Sequence, residues 1–144
     1  MAVRIAPLSL DDHDAVLELW RRARLTDHTN LRDSRASFAR QLRRNKGLYL
    51  GAFDGDRLVG TVLGTHDTRK GWINRLAVDP AYQRRGVGTR LLRACETALV
   101  RKGMKVISAF VMEGNEPSLN LFRRSGYEPA LGAVHMRKKL EPDA

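Results

Sequence analysis

The stretch Leu76-Ala77-Val78-Asp79-Pro80-Ala81-Tyr82-Gln83-Arg84-Arg85-Gly86-Val87-Gly88-Thr89-Arg90-Leu91-Leu92 passes from strand to helix chemistry through a turn that carries two glycines. Pro80 cannot donate to a strand ladder, so the strand ends at Asp79-Pro80, and a helix is predicted to begin near Arg85 or Gly86. The first-turn N–H groups of such a helix lack intrahelical partners, and its dipole favours negative charge at that end. Gly86 and Gly88 let an anionic ligand approach the backbone. Arg84 and Arg85 add charge-assisted donors, and Thr89 adds a hydroxyl. These residues point to a diphosphate.

Upstream, Trp72 to Val78 reads as a strand after the polar turn at Asp67-Thr68-Arg69-Lys70-Gly71. It follows two β-prone runs, Leu48 to Phe53 and Leu58 to Leu63, which flank Asp54-Gly55-Asp56 as a hairpin turn. At the start of the chain, Val3 to Pro7 is a short strand, and Ser9 with Asp12 resembles a capping box. The following helix turns Val16, Leu19, Trp20 and Ala23 to one face. A polar loop from Asp27 to Asp33 precedes a second helix from about Ser34 to Arg44, with Phe38 and Leu42 inward.

Downstream, Leu91, Leu92, Cys95 and Leu99 form the inward stripe of the long helix, which Lys102-Gly103 stops. Val106 to Val111 has the length of a strand, Glu116-Pro117 opens a helix through Arg124, and Tyr127 to Met136 reads as a last strand or pair of strands. The order is β α α β β β α β α β. The strands on either side of the long helix should be parallel, by the right-handed crossover rule. There is no internal repeat, low-complexity tract or linker.

With 144 residues, 42% hydrophobic and 29% charged, the sequence suits one domain with one core. No apolar run nears the ~20 residues of a membrane span. The N-terminus lacks a secretory h-region, and one cysteine, Cys95, allows no internal disulfide; both features favour the cytoplasm. A net charge of +10 draws anionic partners, whether nucleic acid, acidic protein or phosphorylated cofactor, and equally suits a plain solvated basic surface. Aromatic residues make up only 6%, which disfavours a base-stacking surface.

Two phosphate signatures fail on detail. A P-loop needs Gly-Lys followed by Ser or Thr, and here Gly88 is followed by Thr89-Arg90. A dinucleotide fingerprint needs a third small residue where Leu91 stands, and an acidic residue closing the next strand, where Val111-Met112 stands. The stretch instead resembles the acetyl-CoA motif of the GNAT-type N-acetyltransferase superfamily: Gln or Arg, two residues, Gly, one residue, Gly or Ala. A second segment, Asn115-Glu116-Pro117-Ser118-Leu119-Asn120-Leu121-Phe122-Arg123-Arg124-Ser125-Gly126-Tyr127, is similar to the family's other recognisable motif. The element order matches the family along nearly the whole chain.

The resemblance implies an α/β fold with a mixed, largely antiparallel central sheet of about six or seven strands and helices on both faces. It implies that acetyl-CoA is the co-substrate and that backbone amides from Arg84 to Thr89, including Val87, hold its pyrophosphate. Gln83 belongs to the same motif. The strand at Leu76, Ala77 and Val78 would bulge, splay from the strand at Val106 to Val111, and pair with the pantetheine arm. Asn115 would contact the pantetheine or hold the opening of the last helix, Phe122 would complete the cofactor side, and an N–H of the Leu76 to Val78 bulge would be the oxyanion donor.

The proton route is where the sequence departs from the pattern. Phe122 stands where many relatives carry a tyrosine acid, and Phe110 aligns with a glutamate base found in some. Because simple thiols have a pKa near ~8.5, thiolate departure without an acid remains chemically workable, and the expectation is positioning plus a water relay. Asn74 is a candidate to orient that water, against the plainer reading of a polar strand residue. Asp27, His28 and Trp72 are the candidate acceptor-binding residues, and Glu113 a candidate remote base. Cys95 lies on the apolar stripe, as a structural thiol does, and His13, His28, His66 and His135 lack metal-ligand spacing, so no metal is expected.

The expected acceptor is a primary amine of a small molecule or amino acid, with a peptide or protein amine as the alternative. A different class of reading is a non-catalytic acyl-CoA- or nucleic-acid-binding module on the same fold. Homodimer assembly is compatible with the sequence.

Overall fold

The computed structural model of the chain describes residues 2–26, 29 and 31–144. Among them five strands form one sheet in sequence order: β1 (Val3–Pro7), β2 (Tyr49–Asp54), β3 (Arg57–His66), β4 (Gly71–Val78) and β5 (Ile107–Ala109). The first four pair antiparallel, and β4 and β5 pair parallel, as the intervening helix predicts. Asp54 pairs with Arg57 across a two-residue turn in which Gly55 takes φ +59. That is the conformation the Asp-Gly pair supplies without strain.

Among the described residues four α-helices cover the sheet: α1 (His13–Arg22), α2 (Arg35–Arg44), α3 (Val87–Arg101) and α4 (Glu116–Arg124). The Ser9 N–H donates to Asp12 Oδ2 at 2.8 Å, and this clasp opens a 3-10 turn that runs into α1. Ser34 caps α2 by accepting from the Ser37 N–H at 3.1 Å, and Asn115 caps α4 through the Ser118 N–H at 3.3 Å. The sheet has a core on each face. Leu91, Leu92, Cys95 and Leu99 of α3, with Phe122 of α4, pack on one side, while Val16, Leu19, Trp20 and Phe38 pack on the other.

Several helix and strand boundaries differ from expectation by a residue or so, with α3 beginning at Val87 after Gly86, and β3 runs three residues further, to His66. The larger correction concerns the sheet, which has five strands where six or seven were expected. Val106 to Val111 shortens to Ile107–Ala109, because β4 diverges from it. Tyr127 to Met136 forms no strand. Pro129 lacks a donor and Gly132 takes φ +92, so the segment cannot hold a continuous ladder. Its apolar side chains Leu131, Val134 and Met136 are exposed, so the alternation there lines no core face.

Candidate functional site

The site grows from one irregularity. Thr61 pairs with Ala77 but Leu63 pairs with Asn74, so β4 carries one residue more than β3, at Arg75-Leu76. Arg75 sits at φ +49, in the left-handed region. The bulge is held from the α1 side: Trp20 Nε1 donates to Thr61 Oγ1 at 3.0 Å, and that hydroxyl donates to the Arg75 carbonyl at 3.0 Å. Trp20 is 1% exposed, so its indole N–H needs this acceptor. The Arg75 guanidinium lies 4.7 Å from the Trp20 ring centroid and 3.8 Å from the Asp33 carboxylate.

Because of the bulge, β4 and β5 pair only from Gly71↔Ile107 to Ile73↔Ala109. Past Ile73 the strands part, and a cavity of about 580 Å3 opens between the end of β4, the start of α3 and α4. Leu76, Ala77 and Val78 line one side, and Gln83, Arg84, Gly86, Val87, Gly88 and Thr89 form its end. Asn115 and the outward face of α4 close the other side, and Ala23 and Leu25 lie across the mouth. The turn is shaped for close approach. Arg84 and Gly86 take φ +64 and +79, and no side chain caps the α3 N-terminus at Gly86. A Cβ at Gly88 would stand 3.2 Å from Leu121 Cδ2 and 3.6 Å from Val78 Cγ2. Glycine at 88 therefore keeps open the channel between β4, α3 and α4.

A second cavity of about 190 Å3 adjoins the first, walled by Ile73, Arg75, Phe110, Val111, Met112 and Phe122. Leu25, Leu76, Asn115 and Ser118 line both. The two spaces thus meet beside the bulge, one long and bounded by backbone donors, the other small and mostly apolar.

The sequence-predicted residues fall into three groups. Leu76, Ala77, Val78, Gln83, Arg84, Gly86, Val87, Gly88, Thr89 and Asn115 all line the first cavity, while Phe122 lines the second. Gln83 Nε2 donates to the Val78 carbonyl at 3.3 Å, so one group of the β4 edge already has a side-chain partner. Arg85 lines neither cavity; its guanidinium lies 5.6 Å from the Tyr82 ring centroid.

Trp72, Asn74 and Glu113 also lie outside both cavities. Trp72 stacks on Phe110 at 5.1 Å, and Phe110 on His135 at 4.3 Å. The Asn74 amide donates to the Leu63 carbonyl and Thr65 Oγ1. Asp27 and His28 lie outside the described residues. Ala23, Leu25, Tyr82 and Ser118 were not singled out from the sequence as site residues, Ala23 being read only as part of the inward face of the first helix. The first two reach the cavity through the packing of α1, which no local pattern records. Ser118 had a local signal, since it sits one helical turn before Phe122 on the same face.

Two tyrosines stand nearby with their protons committed. The Tyr82 hydroxyl donates to Asp54 Oδ2 at 2.6 Å, and that bond is the main reason its pKa is raised. Burial raises Tyr127, whose hydroxyl donates to Glu96 Oε2 at 2.6 Å and raises it further. Burial, then the Glu96 charge, pushes the Cys95 thiol up to about 12. Among the described residues, no group of His, Cys, Asp or Glu could hold a metal ion.

A family model, the acetyltransferase (GNAT) family, matches residues 13–127. The fold is similar to that of PaiA N-acetyltransferase from Thermoplasma acidophilum in complex with coenzyme A, with a TM-score of 0.78, 20% identity, and coverage of 89% of this chain and 91% of that one. It also resembles the ribosomal-protein-S18-alanine N-acetyltransferase from Escherichia coli, with a TM-score of 0.71, 21% identity, and coverage of 87% and 77%. A third is AAC(6')-Iy in complex with the bisubstrate analogue CoA-S-monomethyl-acetylneamine, with a TM-score of 0.76, 14% identity, and coverage of 96% and 99%. At these identities the likeness is one of fold.

Proposed function

Since the chain belongs to the GNAT acetyltransferase family and is an acetyl-CoA-dependent acyltransferase, we propose that its 144 residues act as one domain that acetylates the primary amine of a small molecule or amino acid. The observation that carries this is the pair of joined cavities at the β4 bulge. Donor and acceptor can enter from different sides and meet beside the same backbone.

In this reading the uncapped N–H groups from Arg84 to Thr89 bind the pyrophosphate, with the α3 dipole behind them. The Leu76 to Val78 edge takes up the pantetheine arm as an added strand, with the Gln83 side chain moving off the Val78 carbonyl. Acetyl-CoA supplies an activated thioester carbonyl. An N–H of the Leu76 to Val78 segment donates to the developing oxyanion, already oriented by the Trp20–Thr61–Arg75 chain.

The second cavity receives the amine. Its mostly apolar walls disfavour an ammonium, so the amine binds in its neutral, nucleophilic form. A space of about 190 Å3 suits a small amine or one residue of a peptide.

Saturating acetyl-CoA, at about 100 times its Kd, should raise the Tm by about 5–10 °C. The variant Gly86→Glu, which places a carboxylate at a position of positive φ in the anion turn, should abolish that rise. No rise in the wild type would reject the reading. A thiol-release screen over amines, amino acids and peptides then identifies the acceptor, with a peptide-only response selecting the peptide alternative. Salt-sensitive RNA retention without acetyl-CoA competition would select the non-catalytic one.

A further inference from the structure

Among the described residues four line both cavities, and they differ in what they can donate. Leu25 and Leu76 have no side-chain proton to move. The Asn115 amide oxygen accepts from the Ser118 N–H at 3.3 Å, and an amide is no acid. Ser118 brings a hydroxyl that has no hydrogen-bond partner among the described residues. It is half-buried in the first turn of α4, one turn ahead of Phe122. The phenols of Tyr82 and Tyr127 are bonded to Asp54 and Glu96, and Phe110 and Phe122 have nothing to give.

We propose that the Ser118 hydroxyl is the catalytic proton shuttle between the acceptor amine and the departing thiolate. The proposal rests on the acetyl-CoA reading above. The amine lone pair forms the new C–N bond while the carbonyl π pair moves to oxygen. When that pair returns, the C–S bond breaks and its electrons go to sulfur. A proton leaves nitrogen for Ser118 Oγ as the hydroxyl's own proton passes to sulfur. The products are the amide and the free thiol, and Ser118 ends as it began. Because the transfers are coupled, serine never has to ionise, which its high pKa would forbid. The arrangement replaces an acid of tuned pKa with a two-way relay, the chemistry a hydroxyl can perform because it both donates and accepts.

The test compares wild type, Ser118→Ala and Ser118→Thr as full-length chains, with CoA itself as the probe. A donated hydrogen bond stabilises bound thiolate, so ultraviolet titration of the bound thiol should show its pKa about one unit higher in Ser118→Ala than in wild type. The kcat of Ser118→Ala should fall about 100-fold, with the acetyl-CoA thermal shift preserved. Ser118→Thr should keep thiol pKa and kcat near those of wild type. An unchanged thiol pKa or a kcat within about twofold in Ser118→Ala would overturn the proposal. So would equal losses in the alanine and threonine variants, or loss of the thermal shift in Ser118→Ala, because either marks a structural role. Absence of the thermal shift in wild type would instead bring down the cofactor reading, and this proposal with it.

Discussion

Asp79 is 3% exposed and lies between two arginines: Arg22 Nε donates to its Oδ2 at 3.0 Å and Arg57 Nη2 at 3.2 Å. Its other oxygen accepts from the Ala81 N–H at 2.9 Å and so fixes the chain where β4 ends. Burial by itself would raise the carboxyl, but the Ala81 N–H, the Arg57 bond and the Arg22 charge and bond together hold it below the usual range. A depressed folded-state pKa stabilises the fold above the unfolded value of about 3.9, and the contribution is lost as pH falls through the folded value. Asp79→Asn should therefore cost about 1–2 kcal/mol at neutral pH, a figure reduced for the half-exposed arginines. The gap from wild type should close below about pH 4, as read by urea unfolding across a pH series. Cys95 makes the opposite point: with its thiol pushed up to about 12, it should resist a chromogenic disulfide reagent in the native protein and react at once after unfolding. Gly86 and Gly88 were legible in sequence, because only glycine meets a positive φ or a crowded channel so readily. Leu25 was not, and Ser118 only as a helical neighbour of Phe122, because a residue's place at a cavity junction depends on how whole elements dock.

The β4 bulge extends one residue's irregularity to a whole element. Strand pattern cannot disclose it, because Trp72 to Val78 reads as an ordinary β-prone run; here only the family resemblance foretold the bulge and splay. The structure adds what holds it, a hydrogen-bonded chain from α1 through β3 to the Arg75 carbonyl. Thr61→Val keeps the shape and deletes the hydroxyl, leaving a buried indole N–H and a carbonyl without their partner. It should destabilise the protein by about 1–3 kcal/mol in thermal or chemical unfolding. It should also lower kcat more than it raises the KM for acetyl-CoA, since the proposed oxyanion donor depends on the bulge while the proposed pyrophosphate turn does not. The helices and the β2–β3 hairpin were readable because periodicity, caps and Asp54-Gly55 agree locally. The final segment was misread because its alternation had no sheet to serve.

For the molecule as a whole, the sheet separates two cores, and the proposed donor site lies at the rim of one while the bulge is anchored in the other. The charge of +10 adds a long-range attraction for an anionic co-substrate. Acetyl-CoA affinity should consequently weaken several-fold between low salt and about 0.5 M, as measured by calorimetry, with little change in thermal stability of the free protein. Among the described residues, no helix is long and apolar enough to cross a membrane. The parallel β4–β5 contact has a consequence for how the protein comes into being. Its partners Gly71 and Ile107 are brought together only after all of α3 has been made and folded back. Strands β2, β3 and β4 join through short turns and close quickly, whereas this junction, like the β1–β2 pairing across α1 and α2, must overcome the entropy of a long loop. The cleft is thus a late product of folding, and a nascent chain gains its ligand only once the β2–β3–β4 meander is already in place.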